Sequence, residues 1–146
     1  MNDPDANVIV PEITDEYCLR FWDGLREGRL YLGRCRACTT FHFYARVRCP
    51  HCGSPETELA EAAGTGTLVS FTSVHRAPRP SIWGVPYILA LVRLDEGPRL
   101  ISAMACEEEE CAIGMRVQVA FRALGSGDDT LWVHQFGPAR PDPTPA

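Results

Sequence analysis

Apolar side chains return every four positions from Tyr17 through Phe21 to Leu25, with Cys18 and Trp22 one step round, a period that predicts an amphipathic helix. Thr14 is its expected N-cap, Asp15 and Glu16 suit the positive end of the dipole, and Gly28 ends it, giving a helix over residues 14–29. The stripe must be buried, either on the chain's own core or, for Phe21 and Trp22, against a partner chain. Leu30 to Gly33 and Phe41 to Tyr44 have the look of a short hairpin, and the polar run Ser54 to Glu58 closes that module. From Gly64 the pattern changes to long β-prone runs. Thr65 to His75, Tyr87 to Asp95, Leu100 to Cys106, Arg116 to Ala123 and Thr130 to Phe136 read as five strands, with turn residues at 95–98 and 125–128. Five strands without a strong helix between them point to a small closed barrel, and the OB-fold suits this length.

The expected organisation is a flexible lead over 1–13, the helix over 14–29, a metal-stapled ribbon over 30–58, the barrel over 59–136, and a flexible, proline-containing tail over 137–146. Between the first two barrel strands, the loop Arg76 to Pro86 carries Ile82 and Trp83, costly to leave in water. They either contact a partner or fold back over the barrel mouth.

The hairpin carries the strongest chemical signal. Cys35-Arg36-Ala37-Cys38 and Cys49-Pro50-His51-Cys52 are two Cys-x2-Cys pairs separated by ten residues, the ligand set and spacing of a tetrahedral metal site. Gly53 supplies the positive φ that the second knuckle favours, whereas the first has Thr39 at the equivalent place. Zinc is the expected ion, with iron the alternative that four thiolates would also hold. With all four positions filled by protein, no site is left for substrate, so the metal is expected to be structural.

Composition narrows the setting. The chain has 146 residues, 45% hydrophobic, enough for one ordinary core or for a small core plus a stapled module. Seven cysteines without a leader argue for reduced thiols and a cytoplasmic location, and no apolar run is long enough to span a membrane. Cys18 is expected as a buried small hydrophobe, and Cys106 and Cys111, bracketing Glu107 to Glu110, as exposed loop thiols without a role. The net charge is −5, yet the segment Tyr17 to Cys52 holds seven arginines against Asp23 and Glu27, a local +5 that leaves −10 on the remainder. Arg34, Arg36, Arg46 and Arg48 belong to this basic patch. The negative total does not favour nucleic acid, and only Phe71 and Tyr87 stand out as stacking aromatics.

No Gly-x-Ser-x-Gly elbow, His-Glu-x-x-His or phosphate-cradling loop is present. His75 and His134 are read as structural, so no independent active site is expected.

The run Phe21-Trp22-Asp23-Gly24-Leu25-Arg26-Glu27-Gly28-Arg29-Leu30, the second knuckle with Gly53 and Ser54, Gly64 to Thr72, Val85-Pro86-Tyr87, Leu91 to Gly97, and Ile113 to Val117 resemble the DUF35 family. That resemblance implies a mainly β chain: an N-terminal helix, a rubredoxin-like zinc ribbon and a C-terminal five-stranded OB-fold barrel. It also implies a non-catalytic accessory subunit of a thiolase-superfamily acyltransferase or an aldolase acting on CoA thioesters, with hotdog-fold hydratases as further associates; in such a complex Arg34, Arg36, Arg46 and Arg48 would be the candidate contacts to the partner or to the phosphate groups of coenzyme A. The alternative is a stand-alone OB-fold module that binds acyl-CoA or single-stranded nucleic acid.

Overall fold

The computed structural model describes residues 15–77, 82–125, 127 and 130–140. Helix α1 spans Glu16–Arg26, and its N-cap is Asp15, whose carboxylate accepts the Cys18 N–H at 2.9 Å. The expected cap, Thr14, lies outside the described residues. Glu27 is the C-cap, so α1 is shorter than the expected 14–29. Phe21 and Leu25 bury the inner face of the helix, at 9% and 0% exposure.

Three strands form the ribbon sheet in the order β2-β1-β3: β1 is Tyr31–Cys35, β2 is Phe41–His42 and β3 is Thr57–Glu61. Antiparallel pairing runs the length of β1, from Tyr31 opposite Glu61 to Cys35 opposite Thr57. The polar run expected to close the ribbon at residue 58 leads into a strand that the residue pattern did not suggest, β3, which carries the ribbon sheet to Glu61. The miss has a physical cause. An edge strand facing solvent needs few apolar residues, and Leu59 is the one large aliphatic in β3.

Five strands close into a barrel in the order β4-β5-β6-β8-β7. They are β4 (Thr65–Val74), β5 (Tyr87–Leu94), β6 (Arg99–Met104), β7 (Arg116–Leu124) and β8 (Leu131–Pro138). Each matches an expected strand within two residues at either end. Gly137 and Pro138, expected in the tail, belong to β8, and the Ala139 N–H continues the ladder by donating to the Arg116 carbonyl at 3.0 Å. Alternation explains the core: Ile88, Ala90, Val92 and Leu94 of β5 are all buried while the residues between them are more exposed. Antiparallel pairs join every neighbour except β6 and β8, whose short parallel contact matches Ala103 with Gln135 and Met104 with Phe136. At the other end, Asp95 accepts a bidentate contact from Arg116 at 2.6 and 2.7 Å, tying the β5–β6 turn to the start of β7.

Ribbon, helix and barrel share one core. Phe21, Leu25, Leu30 and Leu32 belong to the same buried cluster as Leu68, Val92, Val117 and Phe136. Aromatic rings make the junction: Phe21 lies edge-on to Trp22 at 5.7 Å and to His134 at 6.3 Å, and is tilted against Phe43 at 5.8 Å. Among the described residues, no helix is long and apolar enough to cross a membrane.

Candidate metal centre

The two knuckles are built by local chain geometry. β1 delivers Cys35, whose N–H donates to the Thr40 carbonyl at 3.0 Å and folds the chain back through Cys38. The second turn is closed by Gly53 N–H to the Cys49 carbonyl and by Cys49 N–H to the Ser54 carbonyl, both 2.9 Å. Gly53 has φ +77°, and Thr39 holds φ +62° at the matching place, the one non-glycine residue with positive φ among those described.

The four sulfurs of Cys35, Cys38, Cys49 and Cys52 lie within 4.8 Å of one another. Cys35 and Cys52 are 3.6 Å apart, and Cys38 and Cys49 3.7 Å. A metal–sulfur bond of about 2.3 Å in a tetrahedron requires a sulfur–sulfur edge of roughly 3.8 Å, and a disulfide about 2.05 Å. These separations fit a tetrathiolate ion and no disulfide. The His51 N–H donates to the Cys49 sulfur at 3.4 Å, the backbone contact that supports a thiolate. The hydroxyl and N–H of Thr40 hold the Cys38 thiol down to about 6. Cys52 is drawn down by the Ser54 N–H, but burial and the three neighbouring sulfurs push it up to about 12. Four thiolates this close would repel one another, a repulsion that a cation among them offsets.

Around the centre, the basic candidates are engaged in different ways. Arg36 pairs with Glu58 at 3.0 Å, Arg34 lies 5.6 Å over the Phe41 ring, and Arg48 donates to the Gly53 carbonyl at 3.2 Å. Arg46 contributes its carbonyl to the Thr57 hydroxyl at 2.8 Å. Close by, His42 is buried with neither ring nitrogen hydrogen-bonded, and its pKa is lowered, first by burial and then by Arg46. Its imidazole occupies the space where a Cβ on Gly33 would lie.

Residues 22–58 match the family described as the ChsH2 rubredoxin-like zinc ribbon domain, and residues 60–122 the ChsH2 C-terminal OB-fold domain. A DUF35 domain-containing scaffold protein of Methanocaldococcus jannaschii is 33% identical over 128 residues, covering 85% of this chain and 91% of that one. This chain belongs to the DUF35 family. A probable enoyl-CoA hydratase alpha subunit of Thermomonospora curvata is 37% identical over 123 residues; the match covers 83% of this DUF35 chain but 37% of that subunit. Among solved structures, a chain of the Ltp2-ChsH2(DUF35) aldolase superposes with a TM-score of 0.74 at 32% identity, over 88% of this chain and 98% of that one.

Away from the metal centre, the structure sorts the remaining candidates. Phe21, offered by the sequence as a partner contact, is in the chain's own core, because α1 turns it into the junction with the barrel. Trp22 is half-buried beside it. Ile82 and Trp83 are also half-buried, with the Arg122 guanidinium 5.4 Å from the Trp83 ring; residues 78–81 of their loop lie outside those described. Trp83 and Arg122 help line a cavity of about 620 Å³ at one end of the barrel, together with His75, Tyr87, Cys106 and Glu108.

A serine–histidine contact does occur. The Ser102 hydroxyl and His134 Nδ1 are 2.8 Å apart, but the rings of Phe21, Phe43 and Phe136 surround the imidazole and Ser102 is 5% exposed. Burial lowers the His134 pKa to about 4. The pair bridges β6 and β8 where their backbone ladder is absent, a structural task. Nothing in local sequence marks it, since Ser102 and His134 meet only when the barrel closes. Cys18 is half-buried, not fully buried as expected. Cys106 and Cys111, expected as separate exposed thiols, are half-buried with sulfurs 3.6 Å apart.

Proposed function

We propose that this chain is a non-catalytic accessory subunit of an enzyme acting on CoA thioesters, a thiolase-superfamily acyltransferase, an aldolase or a hydratase. The likeness along nearly the whole DUF35 chain of the Ltp2-ChsH2(DUF35) aldolase supports this reading most strongly. In it, Cys35, Cys38, Cys49 and Cys52 hold zinc, whose role is to fix the ribbon; the four protein thiolates leave it no position for substrate. The enclosure of Ser102 and His134 and the raised Cys106 thiol agree with a partner that supplies nucleophile and acid–base groups. Tyr44 and Val47, 61% and 71% exposed, flank Arg46 and Arg48 at the ribbon end and offer an apolar, basic docking surface.

A second reading has one observation in its favour. The barrel-end cavity, with Trp83, Tyr87 and Arg122, is large enough for part of an acyl-CoA, so the chain itself would bind the thioester. Turnover and binding separate the two. The isolated, metal-loaded chain is expected to turn over no CoA thioester, while raising the activity or solubility of its partner enzyme. Turnover by the isolated chain sinks the non-catalytic reading, and stoichiometric acyl-CoA binding without a partner favours the second.

A further inference from the structure

The turn after β6 holds two thiols that the ribbon does not use. Cys106 and Cys111 are both free and half-buried, and their sulfurs are 3.6 Å apart. The four residues between them are glutamates folded into a tight turn: the Glu107 N–H donates to the Glu110 carboxylate at 2.9 Å, and the Glu110 N–H to the Glu107 carbonyl at 3.1 Å. The Ser73 hydroxyl, donating to the Glu108 carboxylate, anchors this turn to β4. A disulfide is about 2.05 Å long, so an approach of roughly 1.5 Å joins the sulfurs, within reach of side-chain rotation. A metal site is the competing use of two thiols. Among the described residues, though, the ribbon cysteines are the one group with three or more ligand atoms in reach of a common ion. Cys106 and Cys111 are therefore matched to each other.

We propose that Cys106 and Cys111 form a reversible dithiol–disulfide site that locks the 106–111 turn at the rim of the barrel-end cavity. Cys106 lines that cavity, and the exposed Glu107, Glu108 and Glu109 stand along its edge. Covalent closure fixes this acidic rim; reduction frees it. The oxidant is a low-molecular-weight disulfide. The Cys111 thiolate attacks one of its sulfurs and expels a thiolate, and Cys106 then attacks the Cys111 sulfur and expels the second. Two protein S–H bonds are replaced by one S–S bond, both protons pass to the expelled thiolates, and two electrons reduce the oxidant to two thiols. Burial first, then Cys111 and the glutamates at 110 and 107, push the Cys106 thiol up to about 12, so the first attack falls to Cys111, and the second, intramolecular step relies on the 3.6 Å approach of the two sulfurs.

The test uses the full-length, metal-loaded protein in glutathione buffers of graded redox ratio, quenched with an alkylating agent and digested with trypsin. Arg99 and Arg116 bound one peptide, Leu100 to Arg116, that contains both cysteines and no other. It is expected to lose both alkylation tags and two hydrogens together as the buffer becomes oxidising, and to regain them with a dithiol, at constant metal content. Hydrogen exchange in 106–111 is expected to slow in the oxidised form. C111S should abolish the cross-link and C106S should leave Cys111 as a mixed disulfide with glutathione. Full alkylation at every ratio, or glutathione on the wild-type peptide without a cross-link, would overturn the proposal.

Discussion

Thr39 holds a left-handed backbone at φ +62°, where its branched Cβ is crowded, at the place where Gly53 serves the other knuckle. Replacing it with glycine should relieve about 1 kcal/mol and raise the melting temperature of the metal-loaded protein, measured by calorimetry. A lower melting temperature would mean that the Thr39 side chain makes contacts worth more than this strain. Gly33 has the opposite requirement. A methyl group there meets the buried His42 ring, so Gly33→Ala should cost about 3 kcal/mol or more and loosen the ribbon. His134 sets a pH dependence. Its folded pKa is lowered from 6.5 to about 4, so between these values the unfolded chain binds the extra proton and stability falls as pH falls. The loss reaches about 3 kcal/mol near pH 4, and urea titrations of wild type and His134→Gln should diverge in slope across that window.

At the scale of elements, the ribbon depends on its four thiols and the barrel on its alternating strands. Cys49→Ser should drop bound metal from about one ion per chain towards none and unfold the ribbon, because ligand binding energy there is also folding energy. Elemental analysis with far-UV circular dichroism checks this, and retained stoichiometric metal would contradict the four-ligand assignment. The Arg116–Asp95 pair is half-exposed, so Arg116→Ala should cost no more than about 1 kcal/mol despite its bidentate geometry. How much of this was legible follows from what each element needs. The barrel strands were readable as β-prone runs bounded by turn residues, whereas the inward–outward alternation of Tyr87 to Leu94 lies in burial and not in residue type, since Arg93 is the one charged side chain there. The thiol cluster was readable because two short turns fix its spacing in the chain. Strand β3 was not, since an exposed edge imposes little on composition. Nor were the Cys106–Cys111 contact and the Ser102–His134 bridge, which arise from how a turn folds and how β6 meets β8. Phe21 was ambiguous for the same reason: its stripe demanded burial without saying against what.

Among the described residues, helix, ribbon and barrel share one core, while apolar side chains such as Tyr44, Val47 and Ile101 stay exposed. Its charge is divided too, with the basic segment at the ribbon and the acidic excess elsewhere. A chain that acts by joining an enzyme of CoA-thioester chemistry should leave the cell with that enzyme bound. Isolation of the tagged protein from its native cells at moderate salt, with mass spectrometry of the chains that accompany it, puts this to the test. A thiolase-, aldolase- or hydratase-type chain in stoichiometric amount is the predicted result; recovery of the protein alone, or with nucleic acid, would contradict it.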